Sequence, residues 1–396
     1  MILAGGKGER LYPLTRDRAK PSVPFGGNYR IIDFTLSNCA NSQLRHIVIL
    51  TQYKSFSLDR HIRLGWNFFS HQMGEFVHIV PAQQRVSDEW YKGTADAIYQ
   101  NIYTLEQERP ELTLILSGDH VYRMDYRHLI DFHLKKGADL TIGAIPMPKE
   151  TSTQFGVIVV DASYRIVGFQ EKPREPETMP DNPDLVLASM GIYVFNTQTL
   201  VRRIVDDAKR PASDHDFGKN VIPSMIERDT VFAYPFIDEE TREAGYWRDV
   251  GTIEAYWQAH MDLLTTRRGF SFFSPQWPFY TYEPPSPPMK VIAVGSGDEY
   301  ISDSMISGGT IIAGSRIKKS VIGRNVSVED GCDISGCIIM DDVTIGRDAT
   351  LNRVIVDKDV IIPAGMKIGV SPDEDRKNFD VFPPGIVVVP KKMRFS

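Results

Sequence analysis

The sequence predicts two domains, an α/β sheet covered by helices and, after it, a hexapeptide β-helix. From Leu3 to about Leu264, short apolar runs alternate with amphipathic segments, the pattern of an α/β sheet with helices on its faces. Farther along, aliphatic residues recur at intervals of about six residues, the period of a hexapeptide β-helix. With 396 residues, of which 42% are hydrophobic, the chain is long enough for two cores.

Three strands and one helix stand out in the first part of the chain. Residues 46–51 and 112–116 are continuous apolar runs typical of buried parallel strands, and residues 138–144 form a third candidate. A helix is expected after Thr252, which is a suitable N-cap for the apolar face that follows. His260 falls on that face, which favours a packed core histidine over a catalytic one.

A proline-rich stretch marks the junction between the domains. Six prolines lie between Ser274 and Lys290, a composition that excludes a helix or a central strand. We therefore expect residues 1–270 to form the first domain, 271–290 the linker and 291–396 the second domain. Aromatic residues in the linker predict that it lies against a surface: Trp277, Phe279, Tyr280 and Tyr282.

The aliphatic repeat of the second domain is imperfect. Ile322, Val328 and Ile334 follow the six-residue period, whereas the next step, from Ile334 to Ile345, spans eleven residues. A β-helix in which each short strand turns a corner explains the period best. A loose β-sandwich remains the alternative.

Composition excludes several classes of function. A formal net charge of -6 argues against nucleic-acid and membrane-surface binding, which require a basic footprint. Cys39, Cys332 and Cys337 have no C-x-x-C spacing, so neither a disulfide framework nor a zinc site is expected, and a reducing cytoplasm fits best. No apolar run approaches the roughly 20 residues that span a bilayer. The first strand is short, so the natural chain is expected to begin upstream of Met1.

The first residues predict a phosphate-binding loop. Residues 3–11 read as a short strand that turns through Gly5, Gly6 and Gly8, which allow positive φ and close approach of backbone N–H groups to an anion. The spacing matches neither a P-loop nor a dinucleotide-binding fingerprint. Three cationic residues add positive charge: Lys7, Arg10 and Lys20.

Two aspartates are candidates for a metal site. Asp119 directly follows the strand that ends near Leu116, where ligands of open α/β sheets bind, and Asp249 lies between a strand and a helix. Either residue alone is equally well explained as a turn or helix-entry aspartate. If they converge near the phosphate loop, they form a site suited to Mg²⁺, which prefers one or two carboxylates plus substrate phosphates.

Two further motifs carry polar groups. Glu171 and Lys172 are adjacent, so their side chains diverge if the segment is extended, and a surface strand end is the plain alternative. Ser189 and Tyr193 lie in a strand with a buried composition, where their hydroxyls either face a ligand or bond within the fold.

Taken together, these motifs closely resemble the nucleotide-sugar pyrophosphorylases, and within them the bacterial ADP-glucose pyrophosphorylase branch, over nearly the whole chain. The resemblance implies a Rossmann-like mixed-sheet nucleotidyltransferase domain followed by a left-handed parallel β-helix. Its most specific motifs are these: LAGGKGERL with RAKP, FGGxxRIIDF, PAQQ at 81–84, WYKGTADA at 90–97, GDHVY, FQEKP, ASMGIYVF, HDFGK at 215–219 and YWRDVGT.

The resemblance also implies a reaction. ATP and glucose-1-phosphate would form ADP-glucose and pyrophosphate with Mg²⁺ as cofactor, an allosterically regulated step of glycogen synthesis carried out by a cytoplasmic homotetramer. The attacking sugar phosphate is already largely ionised at pH 7, because the second pKa of a phosphomonoester is near about 6. No protein nucleophile or base is then required, and the protein supplies alignment and charge neutralisation.

Residue roles follow from the matched motifs. Asp119 and Asp249 would hold Mg²⁺, Arg10 and Lys20 the triphosphate, and Lys172 the phosphate of glucose-1-phosphate. The remaining nucleotide-binding candidates are Leu3, Ala4, Gly5, Gly6, Gln83, Tyr91 and Gly93. The remaining sugar-pocket candidates are Gly156, Glu171, Ser189, Tyr193, Asp216, Phe217 and Trp247.

Regulation by anionic metabolites is a further implication of the resemblance, since relatives bind such effectors between the two domains. The candidate residues for that anion site are Arg18, Arg30, Arg376 and Lys377. Asp17 departs from the pattern, because some relatives carry an activator-binding lysine there and an acid would repel a phosphate. The identity of the activator therefore stays open.

Three alternatives remain. Another pyrophosphorylase would use UTP, dTTP or GTP, and base choice depends on few contacts. A catalytically silent regulatory subunit would generally have lost metal or phosphate residues, all of which are present here. Acyl transfer by the β-helix would need a histidine base, and no histidine occurs after His260.

Overall fold

The structure is a computed structural model, and it describes residues 1–83, 90–179, 182–237, 244–265, 270–294 and 300–395. Its N-terminal part is an α/β domain, in which these described residues form thirteen strands, numbered in chain order. They are β1 Ile2–Leu3, β2 Pro24–Phe25, β3 Tyr29–Arg30, β4 His46–Thr51, β5 Phe76–Pro81, β6 Leu112–Ser117, β7 His120–Tyr122, β8 Leu140–Pro148, β9 Gly156–Val160, β10 Ile166–Glu171, β11 Leu185–Asn196, β12 Val231–Pro235 and β13 Trp247–Asp249.

Eight α-helices accompany these strands in the described part of the domain. They are α1 Ile31–Asn41, α2 Phe56–Gly65, α3 Thr94–Tyr99, α4 Ile102–Glu108, α5 Tyr126–Lys136, α6 Thr197–Ala208, α7 Ile222–Ile226 and α8 Ile253–Leu263. As predicted, Thr252 caps α8, its side chain accepting a hydrogen bond from the backbone N–H of Ala255. Short 3₁₀ turns cover Glu9–Leu11 and Lys20–Ser22, and a π-helical turn covers Phe217–Val221.

The main sheet is mixed, as the resemblance implied. Its path runs β10-β9-β11-β6-β1-β4-β5, with β8 joined to β11 and β12 to β8. Strands β6, β1, β4 and β5 are parallel, whereas β11 is antiparallel to β6 and β8. The three predicted strands are all present, but β8 is parallel only to β12. Alternate residues of β4 enter two cores, with Ile47 and Ile49 in one and Val48 and Leu50 in the other.

The C-terminal part is a three-sided parallel β-helix with a short additional helix, α9 Pro372–Asn378. Its strands are β14 Lys290–Ile292, β15 Tyr300–Ser302, β16 Met305–Ile306, β17 Ile311–Ala313, β18 Arg316–Lys318, β19 Val321–Ile322, β20 Ser327–Val328, β21 Asp333–Ser335, β22 Ile338–Ile339, β23 Thr344–Ile345, β24 Thr350–Asn352, β25 Val354–Val356, β26 Ile361–Ile362, β27 Lys367–Ile368, β28 Asp380–Phe382 and β29 Ile386–Val389.

Each side of the helix is one parallel sheet: β14-β17-β20-β23-β26, β15-β18-β21-β24-β27 and β16-β19-β22-β25-β29, with β28 added antiparallel. Aliphatic side chains stack inward along each side. Buried Ile339 fills the long step between Ile334 and Ile345 that left a β-sandwich open, so the β-helix prediction is confirmed. Asn325, which has φ 56°, shows how the corners turn, because asparagine and aspartate tolerate this left-handed conformation better than most residues.

The two parts of the chain pack against each other. The linker has neither helix nor strand from residue 274 to 289, and, as predicted, its aromatic residues lie on the first domain. The indole N–H of Trp277 donates to Asn38 Oδ1 at 3.0 Å, and Phe279 is buried. One hydrophobic cluster contains Leu14 and Ile253 of the first domain. It also contains residues of the β-helix: Ile338, Met340, Ile355, Ile386 and Val388.

The cysteines and the helix lengths complete the description of the fold. Cys39, Cys332 and Cys337 are all buried free thiols. None of the helices in the described part of the chain has the length and apolar composition that crossing a membrane requires.

Candidate active site

Two adjoining cavities lie at the carboxyl ends of β1 and β6. The larger has a volume of about 680 Å³ and is bordered by the predicted phosphate loop, and the smaller has a volume of about 230 Å³. Open α/β sheets bind ligands at this edge. Five residues line both cavities: Leu3, Arg10, Thr94, Ser117 and Asp216.

The three glycines of the predicted phosphate loop differ in backbone conformation and in the space around them. Gly8 has φ 64°, a conformation that suits glycine. Gly5 is close to the neighbouring strand end, because a Cβ there would lie 3.2 Å from Cβ of Gln52, while a Cβ at Gly6 would meet nothing within 4 Å. The expectation of positive φ is therefore met at Gly8 alone of the three.

Lys20 brings the two aspartates together. Its Nζ atom lies 2.9 Å from Oδ2 of Asp119 and 2.7 Å from Oδ1 of Asp249. Strand pairing explains the convergence, because β7 and β13 are antiparallel and Asp249 pairs with His120, the residue after Asp119. Arg10 approaches from the loop, with a nitrogen 3.8 Å from Oδ2 of Asp249.

Electrostatic interactions favour the charged forms of Asp119 and Lys20. Burial alone would raise the pKa of Asp119, but the charges of Lys20 and His120 and a hydrogen bond from Ser117 Oγ outweigh it and lower that pKa. Burial would likewise lower the pKa of Lys20, yet Asp119 and Asp249 raise it. The side chain of Lys20 is only 8% exposed, so its charge is tolerated there because both carboxylates pair with it.

The donor set fits Mg²⁺. Ligand atoms of Asp119, His120 and Asp249 all lie within 4.8 Å of one another. Carboxylate oxygens with room for substrate phosphates are what this ion prefers, and the phosphate loop borders the same space. A divalent cation and the Lys20 ammonium would compete for the same two carboxylates.

All eight predicted sugar-pocket residues line the smaller cavity: Gly156, Glu171, Lys172, Ser189, Tyr193, Asp216, Phe217 and Trp247. Strand pairing brings Gly156 of β9 opposite Glu171 of β10. Ser189 and Tyr193 both lie in β11, whose register with β8 is irregular between them, with Gly191 at φ 67°. Burial raises the pKa of Tyr193, whose hydroxyl therefore stays protonated at neutral pH.

Glu171 and Lys172 do not diverge as an extended segment would make them. Lys172 has φ 49°, outside the extended region, and its Nζ atom lies 3.3 Å from Oε1 of Glu171. Two glycines leave space for the other carboxylate oxygen. A Cβ at Gly218 would lie 2.7 Å from Oε2 of Glu171, and one at Gly156 would lie 3.2 Å from it.

Most predicted nucleotide-binding residues line the larger cavity. They are Leu3, Ala4, Gly5, Gly6, Tyr91 and Gly93, together with Arg10, Lys20 and Asp119. Gln83 is exposed and is not among the lining residues that the structure describes. Gln84, the last residue of the PAQQ motif, lies outside the described residues.

Comparisons with known proteins show the family to which the chain belongs. A nucleotidyl transferase family model matches residues 1–266, and a GlmU-like C-terminal hexapeptide model matches residues 287–389. The glucose-1-phosphate adenylyltransferase of Rhodopirellula baltica is 50% identical over 98% of this chain and 89% of its own length. Glucose-1-phosphate adenylyltransferase 1 of Vibrio parahaemolyticus is 50% identical over 100% of this chain and 98% of its own length. The glucose-1-phosphate adenylyltransferase of Methylococcus capsulatus is 46% identical over 98% of this chain and 92% of its own length.

The chain belongs to the glucose-1-phosphate adenylyltransferase family. This membership confirms the resemblance drawn from the motifs and the enzyme class, a nucleotidyltransferase. The hexapeptide match also agrees with the left-handed β-helix that the resemblance implied.

The four effector candidates occupy different surroundings. Arg18 is buried, and its guanidinium donates two hydrogen bonds to Asp357 of the β-helix, at 2.7 and 2.8 Å. Arg30 donates to the carbonyl and hydroxyl oxygens of Ser57, and burial lowers its pKa to about 10. Arg376 and Lys377 are exposed on α9, where they pair with Asp373 and Glu374. Asp17 is exposed and pairs with Arg16.

Several cavity residues of this adenylyltransferase-family site were not predicted. Gln52 and Tyr53 directly follow β4, so the rule that ligands lie beyond strand carboxyl ends was the signal that points to them. Thr94 lies in the WYKGTADA motif and lines both cavities, and His120 lies in the GDHVY motif and lines the smaller. No local pattern distinguishes Thr94, because its role depends on a distant segment.

Proposed function

We propose that this chain transfers the adenylyl group of ATP to glucose-1-phosphate, forming ADP-glucose and pyrophosphate for glycogen synthesis. The observation that carries the proposal is the pair of adjoining cavities, joined by an ion cluster in which Lys20 and Asp119 line the larger cavity and Asp249 lines the smaller. One cavity is bordered by a phosphate loop and is large enough for a nucleotide, while the other is small and rich in hydroxyl and carboxylate groups. The name of the relatives specifies which nucleotide and sugar phosphate to test.

The chemistry requires positioning more than proton transfer. A phosphate oxygen of glucose-1-phosphate attacks the α-phosphate of ATP, and pyrophosphate leaves with the electrons of the broken P–O bond. Lys172 holds the attacking phosphate at the smaller cavity, while Arg10 and Lys20 neutralise the negative charge on the leaving group. Aligning both substrates in one site removes much of the entropic barrier to their reaction.

A divalent cation completes the charge balance of this proposal. Asp119 and Asp249 would hold Mg²⁺, and the bound ion supplies positive charge next to the phosphates. The Lys20 ammonium, already between the two carboxylates, would then be available to the triphosphate.

The proposal extends to assembly, regulation and location in the cell. A homotetramer is supported by exposed apolar side chains at the start of the β-helix, which are Val291, Ile292 and Tyr300 on its first coil and Ile311 on its second. A cytoplasmic location is supported by the three free thiols. Anionic metabolites act as effectors at Arg18, Arg30, Arg376 and Lys377, of which Arg18 would have to exchange its Asp357 partner for the anion.

A pyrophosphate-release assay tests the proposal. The purified chain is incubated with Mg²⁺, glucose-1-phosphate and, in separate reactions, ATP, UTP, dTTP or GTP. Release of pyrophosphate with ATP well above the other three, together with formation of ADP-glucose, is the expected result. Preference for another nucleotide would correct the substrate, and no release with any of them would refute the activity. Adding sugar phosphates, pyruvate and AMP tests regulation, and no response to any of them would remove that part.

A further inference from the structure

Thr94 forms a contact that links the walls of the two cavities. It begins α3 and lines both of them. Its hydroxyl donates a hydrogen bond to Oδ2 of Asp216 at 2.9 Å and accepts one from the backbone N–H of Phe217 at 3.0 Å. Asp216 also lines both cavities and Phe217 lines the smaller one only, so a single hydroxyl at the shared boundary joins α3 to a segment that carries two predicted sugar-pocket residues.

Backbone contacts fix the same two segments against each other. The carbonyl oxygen of His215 accepts hydrogen bonds from Ala95 N at 2.9 Å and Asp96 N at 3.2 Å. The approach at Gly93 is close, because a Cβ there would lie 2.3 Å from the His215 oxygen and 2.4 Å from that of Asp214. The start of α3 therefore cannot shift without moving the segment that carries Asp216.

That segment is itself anchored to α6. Nδ1 of His215 lies 2.8 Å from Oδ2 of Asp207, and the hydroxyl of Ser213 donates to Oδ1 of the same aspartate at 2.7 Å. Asp207 is buried. The remaining oxygen of Asp216 accepts hydrogen bonds from Gly218 N and Lys219 N. Each carboxylate oxygen of Asp216 thus has a hydrogen-bond partner. Oδ1 is bound by its own segment, and Oδ2 is bound by Thr94 of α3.

We propose that Thr94 is a positioning residue that couples the two cavities by holding a bound hexose 1-phosphate in register with the α-phosphate of a bound nucleoside triphosphate. This inference rests on the proposed function. In-line attack needs the reacting atoms about 3–3.5 Å apart, and a misplacement of about 1 Å can cost about a hundredfold in rate. Without the hydroxyl, the His215 backbone contacts and the packing of Phe217 in one cluster with Ala95 and Ile98 remain, but Asp216 Oδ2 loses its bond to α3.

Isosteric variants test the role of the hydroxyl. Thr94→Val replaces the hydroxyl by a methyl group and keeps the shape of the side chain. Thr94→Ala removes the hydroxyl and adds no methyl group in its place, and Thr94→Ser keeps the hydroxyl. We expect both hydroxyl-free variants to lower kcat/KM for glucose-1-phosphate at saturating ATP by about tenfold or more, and Thr94→Ser to stay within about threefold of the parent. Thr94 is exposed, so water can satisfy the groups it leaves and the Tm should change little.

Thr230 provides a matched control. Its hydroxyl donates to Oδ2 of Asp139 at 2.8 Å and accepts from Asp139 N at 3.1 Å, the same pattern as at Thr94, but it lines neither cavity. Thr230→Val should lower the Tm and leave both KM values unchanged. A loss confined to the Thr94 variants would therefore reflect position in the site and not the loss of a threonine hydroxyl as such.

A binding experiment measures the coupling directly. In the parent protein, saturation with the unreactive analogue α,β-methylene ATP should lower the Kd for glucose-1-phosphate, and in Thr94→Val the two ligands should bind independently. Normal kinetics in Thr94→Val and Thr94→Ala, equal losses in Thr94→Ser, or no coupling in the parent would overturn the inference. A parent protein that releases no pyrophosphate would instead refute the proposed function, so the two failures are distinguishable.

Discussion

At the scale of single residues, the most consequential arrangement is one ammonium between two carboxylates. Lys20, Asp119 and Asp249 form a cluster in which each charge is compensated, although Lys20 is almost fully buried. A buried charge is stable only when it is paired, so removing Lys20 would leave two carboxylates without their shared cation, and removing either aspartate would leave the ammonium with one carboxylate partner. The same charges are those that a metal-bound triphosphate would engage.

Asp119→Asn should abolish most of the activity. The amide cannot replace the negative charge that holds a divalent cation and fixes Lys20, so we expect kcat to fall about a thousandfold. Pyrophosphate release at saturating substrates gives the rate, and circular dichroism verifies the fold. Asp184→Asn, which removes an exposed partner of Lys149, is the matched control and should be fully active. Near-normal turnover of Asp119→Asn would refute the metal role.

Lys172→Gln should weaken binding of one substrate selectively. Lys172 lines the smaller cavity only, so the variant should raise the KM for glucose-1-phosphate at least tenfold and leave that for ATP nearly unchanged. The control is Lys219→Gln, since Lys219 pairs with Asp214 at the surface and lines neither cavity. Equal increases in both KM values would contradict the assignment of Lys172 to the sugar phosphate.

At the scale of elements, helix α8 stabilises the domain through a neutral histidine. His260 accepts a hydrogen bond from the Gly26 backbone N–H at Nε2, and its Nδ1 donates to the carbonyl of Tyr256. Burial lowers the pKa of His260 to about 4. Protonation would remove the acceptor on which Gly26 depends, so the folded protein binds this proton far less readily than the unfolded chain.

This histidine predicts a defined pH dependence of stability. Between about pH 6.5 and pH 4 the unfolded chain binds the proton and the folded protein does not, so the free energy of unfolding falls as pH falls. In His260→Gln no imidazole titrates at this position, so the variant lacks this decrease in the free energy of unfolding. The stability advantage of the parent over the variant should therefore shrink by about 3 kcal/mol from pH 7 to pH 4. Urea unfolding at several pH values measures it, and a constant difference would show that His260 protonates normally in the folded state.

At the scale of the whole molecule, the β-helix supports the active site of the other domain. Arg18 lies two residues before Lys20, and its guanidinium is bound by Asp357 from the β-helix. Farther along, the indole N–H of Trp257 donates to the carbonyl of Gly336 at 2.8 Å. Arg324 donates to Asn28 and Tyr282 backbone carbonyls across the same interface. The segment that carries Lys20 is thus held partly from the second domain.

Asp357→Asn should destabilise the protein strongly. Both Arg18 and Asp357 are almost fully buried, and breaking a buried ion pair by removing one charge costs about 3–5 kcal/mol. Chemical denaturation followed by fluorescence gives the free energy of unfolding. Asp333→Asn removes the partner of Arg316 in an exposed pair on the same β-helix, so its cost should be about 0–1 kcal/mol. Equal small effects would mean that the Arg18 pair adds little to the interface.

Local patterns were sufficient for much of the architecture, and the motifs contain most of the residues that line the two cavities. The apolar runs at 46–51 and 112–116 identified β4 and β6, because continuous burial is encoded by neighbouring residues. The adjacent pair Glu171 and Lys172 shows the limit. An extended conformation predicted diverging side chains, whereas the left-handed backbone at Lys172 brings them together. That backbone conformation depends on its surroundings in the folded domain.

The sequence by itself determined where the buried strands lie along the chain and the period of the β-helix. Both depend on interactions between residues that are close in the sequence. The meeting of Asp119 with Asp249 depends on the pairing of β7 with β13, and the Thr94–Asp216 and Arg18–Asp357 contacts likewise join segments far apart. Such contacts depend on how whole elements pack, and no local spacing encodes that packing. For this reason the sequence predicted which residue types carry the chemistry, whereas only the tertiary structure shows which distant residues hold those side chains in place.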